Sequence, residues 1–326
     1  MYSEWSAEKP LHFIGHSMGG STVRVLQQLL ENGAFRKHKT SAAMIKSLTT
    51  ISTPHNGTPF TDFLGLAPSN KAIRWGSPLH FLFAIICILE VLTCGRVMRL
   101  LCLDRWSEYH SSGIGWLLRV IFLADHPMIS KEDWCVGDLS VRKCMDGFNR
   151  DVTTFECTYY FSYVTQRSRL SPVAERNRKR HWPTPRTHPL MMFLSAAGGR
   201  WCHSCPRPQE PWDDSLWWPN DGPCPVYSQQ YPRRLGSQAG IRQACLERAG
   251  KLASKIKCGV WYYSKPIDLD HMSVSMAPRG GDKRSQSQLF DAILKRSRLL
   301  PDRSPARRRK NNRRNRESVV REIINF

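Results

Sequence analysis

Acidic residues are scarce in this 326-residue chain: 27 Asp and Glu stand against 48 Lys and Arg, a formal charge of +21. A surplus of that size favours anionic partners, lipid surfaces or nucleic acid, and says nothing about fold. From Arg279 onward 15 basic residues face 5 acidic ones, and a second basic cluster runs from Arg176 to Arg186. Long apolar runs are missing too. The most hydrophobic stretch, Leu79–Leu92, is about 14 residues long and contains Glu90, whereas a spanning helix needs ~20 apolar residues. It reads as a buried or interfacial helix, and no transmembrane segment is expected. Met1-Tyr2-Ser3-Glu4-Trp5 has neither the basic start nor the apolar centre of a secretory signal,. Eleven Cys include a single C-x-x-C, Cys202 to Cys205, with no second pair at finger spacing. Scattered reduced thiols are therefore expected rather than a zinc knuckle. No internal repeat is present, which excludes solenoids and propellers.

What is present is enough apolar material for a globular core: 41% hydrophobic residues, with eleven Trp,. Leu11–His16 is a short apolar run that ends at a Gly-containing turn and reads as a buried strand. Met18–Leu30 carries Val23, Leu26, Leu29 and Leu30 at helical spacing and is stopped by Asn32-Gly33,. Ile45–Ile51 is β-rich and ends at Thr53-Pro54-His55-Asn56-Gly57,. Strand, helix and strand in that order make one β-α-β unit, hence a parallel sheet. Thr158–Val164 and Cys258–Tyr263 are further strand candidates,. From Pro278 apolar periodicity fades. Residues 279–326 are expected to form a solvated basic tail, with Pro305–Arg316 of low complexity,.

Between the first strand and the first helix stands Gly15-His16-Ser17-Met18-Gly19, a G-x-S-x-G motif. In that setting the Ser occupies a tight turn with its Oγ exposed, and small neighbours keep side chains from colliding with strand and helix. Such a Ser needs a His to take its proton, and the His needs a carboxylate to fix its tautomer. Downstream, the turn Asn220-Asp221-Gly222 offers a carboxylate. Asp268-Leu269-Asp270-His271 follows the last strand candidate. Their order, Ser, acid, His, is that of α/β-hydrolases.

The chain resembles the thermoalkalophilic bacterial triacylglycerol lipases and their eukaryotic relatives. The resemblance runs through Lys9–Gly20, Leu29–Gly33, Leu48–Thr58, Leu103-Asp104-Arg105-Trp106 and Asp138-Leu139-Ser140-Val141. It continues through Thr158–Ser162, Trp218–Gly222, Gly259-Val260-Trp261 and Leu269-Asp270-His271, in the family's order. It implies an α/β-hydrolase fold over residues 1–278: a mostly parallel sheet with helices on both faces, a lid or insertion at about 60–135, and the family's first strands absent before the elbow. It also implies Ser17 as nucleophile, Asp221 as orienting acid, His271 as general base and the Met18 backbone N–H as an oxyanion donor. His16 and His55 fall in matching motifs and are read as structural.

Several departures bear on function. The second oxyanion donor and three of the family's four zinc ligands would precede Met1, leaving Asp138 as the single matching zinc ligand. No carboxylate follows His271 through Pro278 where the family binds calcium. No cofactor is therefore expected. Pro223-Cys224-Pro225 replaces apolar residues after the acid and is expected to distort that loop. The expected function is hydrolysis of triacylglycerol-like lipid esters at a lipid–water interface. The alternatives are a truncated, impaired paralogue and, through Arg307–Arg316, a nucleic-acid binder, although no nucleic-acid module accompanies that run,. Location stays open, since family members are often secreted.

Overall fold

The computed structural model describes residues 4–66, 73–93, 118, 121–122, 135–171, 180–200, 213–234, 241–247, 256–275 and 281–301. Leu103–Trp106, the C-x-x-C, Arg307–Arg316 and much of the expected lid lie outside these residues.

Strand β1 (Leu11–His16) leads through Ser17 into helix α1 (Met18–Glu31), and β2 (Ile45–Ile51) returns beside β1. After the short α2 (Phe60–Leu64) and the apolar α3 (Pro78–Leu92), β3 (Tyr159–Tyr163) adds to β2. A small antiparallel pair follows, β4 (Ser168–Leu170) with β5 (His181–Pro183), then α4 (Pro189–Gly198) and α5 (Val226–Gln230). Finally β6 (Gln243–Cys245), β7 (Trp261–Tyr263) and α6 (Asp282–Leu299) complete the described fold. The main sheet runs β1-β2-β3-β7-β6 and every pair in it is parallel. This is an α/β architecture.

Strand burial follows sheet position. β2 and β3 have neighbours on both sides and are almost wholly buried, as central parallel strands are,. Among the described strands β1 pairs with β2 alone, and its Leu11 and Ile14 are about two-fifths exposed. The expectation that β1 is a buried strand is therefore corrected. Its apolar residues specify a strand, but neighbours decide burial.

The pleat sends alternate residues to opposite faces. Tyr160 and Trp261 pack with Leu30 of α1 on one face. Phe161 and Tyr262 pack with Leu289 and Ile293 of α6 on the other. Helix α6 thus corrects the expectation of a solvated tail for its own residues, Asp282–Leu299, while residues 302–326 lie outside the described ones. Its mean hydropathy is low, yet Leu289 and Ile293 recur at one helical turn and are buried against the sheet,. Asp282 in its first turn and Arg296 and Arg298 in its last suit the helix dipole,.

α1 holds a second surprise on its packed face. Arg24 and Gln27 are buried. The Arg24 guanidinium bonds the Asn149 carboxamide (2.9 Å) and lies over the Phe148 ring. Burial lowers its pKa to about 10. α3 does the opposite. It buries Leu79, Phe83 and Cys87 but exposes Phe81, Leu82, Ile85 and Leu92 by half or more. Among the described residues no helix is long and apolar enough to cross a membrane.

Candidate active site

Ser17 is the whole turn between β1 and α1. Its N–H extends the sheet ladder to the Ile51 carbonyl (2.9 Å), and its φ of 55° is a region non-glycine residues avoid. Holding a Ser there costs on the order of 1–3 kcal/mol, which the surrounding packing must over-determine. The crossing of helix and strand shows how. A Cβ on Gly15 would lie 2.5 Å from the Gly20 backbone nitrogen, and one on Gly20 would run into Thr53, whereas a Cβ on Gly19 would meet nothing. The tight pair is Gly15 with Gly20, not the two glycines of the motif. Residue 20 faces the β1–β2 surface and residue 19 points away from it. Met18, the first helical residue, has a backbone N–H without an intrahelical acceptor,.

His271 sits on the loop after β7. Its Nε2 is 2.8 Å from Ser17 Oγ and its Nδ1 is 3.0 Å from Asp221 Oδ2. A backbone bond from His271 N–H to the Asp221 carbonyl (2.9 Å) fixes the two loops to each other. Asp221 has no exposed surface, so its carboxylate depends on donors. Thr165 Oγ1 donates to Oδ2 (2.7 Å) and the Cys224 N–H donates to Oδ1 (3.0 Å). Gln229 in turn bonds the Thr165 N–H and both the Thr165 and Cys224 carbonyls. Pro223 and Pro225 therefore do not distort the acid loop, because it is closed by Asp221 N–H to the Cys224 carbonyl and by Gln229.

Thr165 and Gln229 were not singled out in the sequence. Position just past β3 was the available signal for Thr165, and none marks Gln229. The other carboxylates near His271 work elsewhere. Asp270 accepts from the His188, Met272 and Ser273 backbone N–H groups, which ties down the loop that carries the base. The fully buried Arg167 links the Asp268 carbonyl to Asp282 of α6 (Nη2–Oδ1 3.0 Å).

His55 is structural as expected: it is fully buried, with Nε2 3.1 Å from Thr50 Oγ1 and its ring edge-on to Trp261. His16 lies elsewhere, against the His271 ring with centroids 4.7 Å apart.

Asp138 meets a cation of the chain itself. Its carboxylate pairs with Lys143 (3.1 Å) and joins no group of three metal-ligating side chains among the described residues. One such group exists, Asp221, Cys224 and His271, and its Asp and His are already bonded to each other. Beyond the acid loop lies a cavity of about 460 Å³ between α2 and α4, lined by Phe60, Phe63, Phe193, Leu194 and Pro223.

Residues 1–76 match the family model described as lipase-like, C-terminal domain. The lipase of Staphylococcus hyicus is 27% identical over 248 residues, covering 70% of this chain and 34% of that protein. Lipase 1 of Staphylococcus aureus strain MRSA252 is 39% identical over 80 residues, 20% of this chain and 12% of that protein. The chain thus spans about a third or less of the length of these relatives. The crystal structure of Staphylococcus hyicus lipase superposes with a TM-score of 0.58 at 21% identity, covering 90% of this chain and 72% of that one. EstA from Clostridium botulinum gives 0.58 at 24%, covering 91% and 66%. At these identities the two likenesses speak to fold. In sequence and in fold, then, the chain is similar to bacterial lipases, with an α/β architecture and a mostly parallel sheet.

Proposed function

We propose that the chain is a carboxylic ester hydrolase acting on lipid esters of the triacylglycerol type through an acyl-enzyme. The observation that carries this is one imidazole hydrogen-bonded at once to Ser17 and to a buried Asp221. Asp221 holds the proton on Nδ1, so Nε2 is free to accept from Ser17 Oγ as that oxygen attacks the ester carbonyl. The Met18 N–H donates to the oxyanion of the tetrahedral intermediate. His271, now charged beside the Asp221 carboxylate, returns its proton to the departing alcohol. Water then attacks the acyl-Ser17, with His271 again taking the proton.

The exposed apolar side chains of α3 suit contact with acyl chains or a lipid surface,. In this reading residues 60–135 form the lid region, and the hydrolase domain extends past 278 to include α6.

A second reading, an impaired relative of the enzyme, is favoured by Met18 being the one oxyanion donor identified among the described residues. Loss of one such donor lowers turnover about 10²–10³-fold. A fluorophosphonate probe decides both points. Single labelling that is abolished by Ser17→Ala and slowed about 10⁴-fold by Asp221→Asn is expected. Undiminished labelling of Ser17→Ala refutes the nucleophile, and labelling without ester turnover selects the impaired reading.

A further inference from the structure

His16 takes no part in the proposed chemistry of Ser17, Asp221 and His271. The residue sits between Gly15 and the nucleophile, its ring meets the His271 ring at 4.7 Å between centroids and 42° between planes, and its Nδ1 is 3.3 Å from Ser275 Oγ. Ser275 lies four residues past His271 on the same loop. His16 Nε2 is buried without a partner among the described residues. Buried polar atoms are normally satisfied. An apolar ring could fill the same space without that unpaired nitrogen.

We propose that His16 is a positioning residue for His271: its ring walls one face of the base. The inference rests on the proposed Ser17–His271 chemistry. The two hydrogen bonds of His271, to Ser17 and Asp221, lie in the plane of its ring and resist sliding within that plane. They resist tilt about the axis joining the two nitrogens poorly. A ring laid against one face opposes that tilt. Proton transfer needs this alignment, because a hydrogen bond weakens steeply as its angle closes.

The same contact sets a requirement on charge. His271 becomes positive each time Ser17 is deprotonated, and a second positive ring at this distance would oppose it. The titratable groups facing His16 are His271 and Asp221. Burial first, and His271 second, lower its pKa to about 4, so it is neutral when the base works.

The test compares two variants of the full chain. His16→Phe keeps a ring face, while His16→Ala removes it and admits water to His271. Two readouts are used: the rate of fluorophosphonate labelling, and the midpoint of the His271 ring proton NMR titration, assigned through its loss in His271→Asn. We expect His16→Ala to label at least tenfold more slowly, with the His271 midpoint moved upward as water solvates its charged form. His16→Phe should stay within threefold of wild type, with an unmoved midpoint. Folded Ala and Phe variants that share one labelling rate and one midpoint overturn the proposal. The midpoint is read whether or not Ser17 reacts, so failure of the hydrolase reading shows separately, as absence of labelling in wild type. If His16→Ala does not fold, His16→Gln, which can reach Ser275 but presents no ring, takes its place with the same two outcomes.

Discussion

Trimming Ile293 to alanine tests whether α6 belongs to the fold. The side chain is 1% exposed and packs in the cluster containing Ile51, Phe161, Tyr262 and Leu269. Removing three carbons from such a site costs roughly 2–5 kcal/mol, the lost burial plus the cavity left behind. Domains have net stabilities of about 5–15 kcal/mol, so the loss is a large fraction of the total. With the small temperature shift per kcal/mol of long chains, it corresponds to a fall of roughly 4–10 °C in Tm. Deleting 279–326 removes more. Leu289 and Ile293 go together, and Arg167 loses Asp282, one of its two carboxylate partners, keeping Asp268. That deletion should abolish the cooperative transition, whereas deletion of 302–326 should leave it in place. Thermal melts followed by circular dichroism measure all three. An Ile293→Ala protein melting with wild type, or a 279–326 deletion that melts normally, would refute the packing argument and restore the solvated tail.

Two further outcomes are expected. Gly20→Ala should destabilise strongly or block folding, because its Cβ strikes Thr53. Gly19→Ala should be neutral or gain up to about 1 kcal/mol from helix propensity, since nothing lies near its Cβ. Denaturant midpoints that rank them the other way would show that the helix crosses differently. Stability should also fall with acid. Burial lowers the folded-state pKa of His16 to about 4 and that of His55 well below its usual 6.5. The unfolded chain therefore binds more protons below about pH 6.5, so the stability from both groups is full above that pH and is lost progressively toward pH 4. For His16 the loss is at most about 3 kcal/mol, less for the part of the ring that water reaches. Equal urea midpoints at pH 7 and pH 5 would contradict this.

Much of this was legible in the sequence, for local reasons. The strand–Ser–helix elbow is written in one contiguous stretch, Leu11–Leu30, because a short apolar run, a Gly-flanked Ser and a helical repeat each act within a turn or two of chain. β1, α1 and β2 lie where their patterns put them, and the order Ser, Asp, His anticipated three side chains that the fold brings within hydrogen-bond distance. What the sequence could not settle involves partners distant along the chain. β1 reads as buried from its own residues but is an edge strand because its outer side has no neighbour among the described strands. α6 reads as tail because its charge hides a two-residue apolar stripe that matters only when a sheet face is there to receive it. Thr165 and Gln229 acquire meaning only once β3 and α5 deliver them to the Asp221 carboxylate, 56 residues from Thr165 in the chain. His16 is one letter of a motif until a ring 255 positions away is laid against it. Burial, donor supply and ring contact are properties of neighbourhoods in space, and only the tertiary structure assembles those.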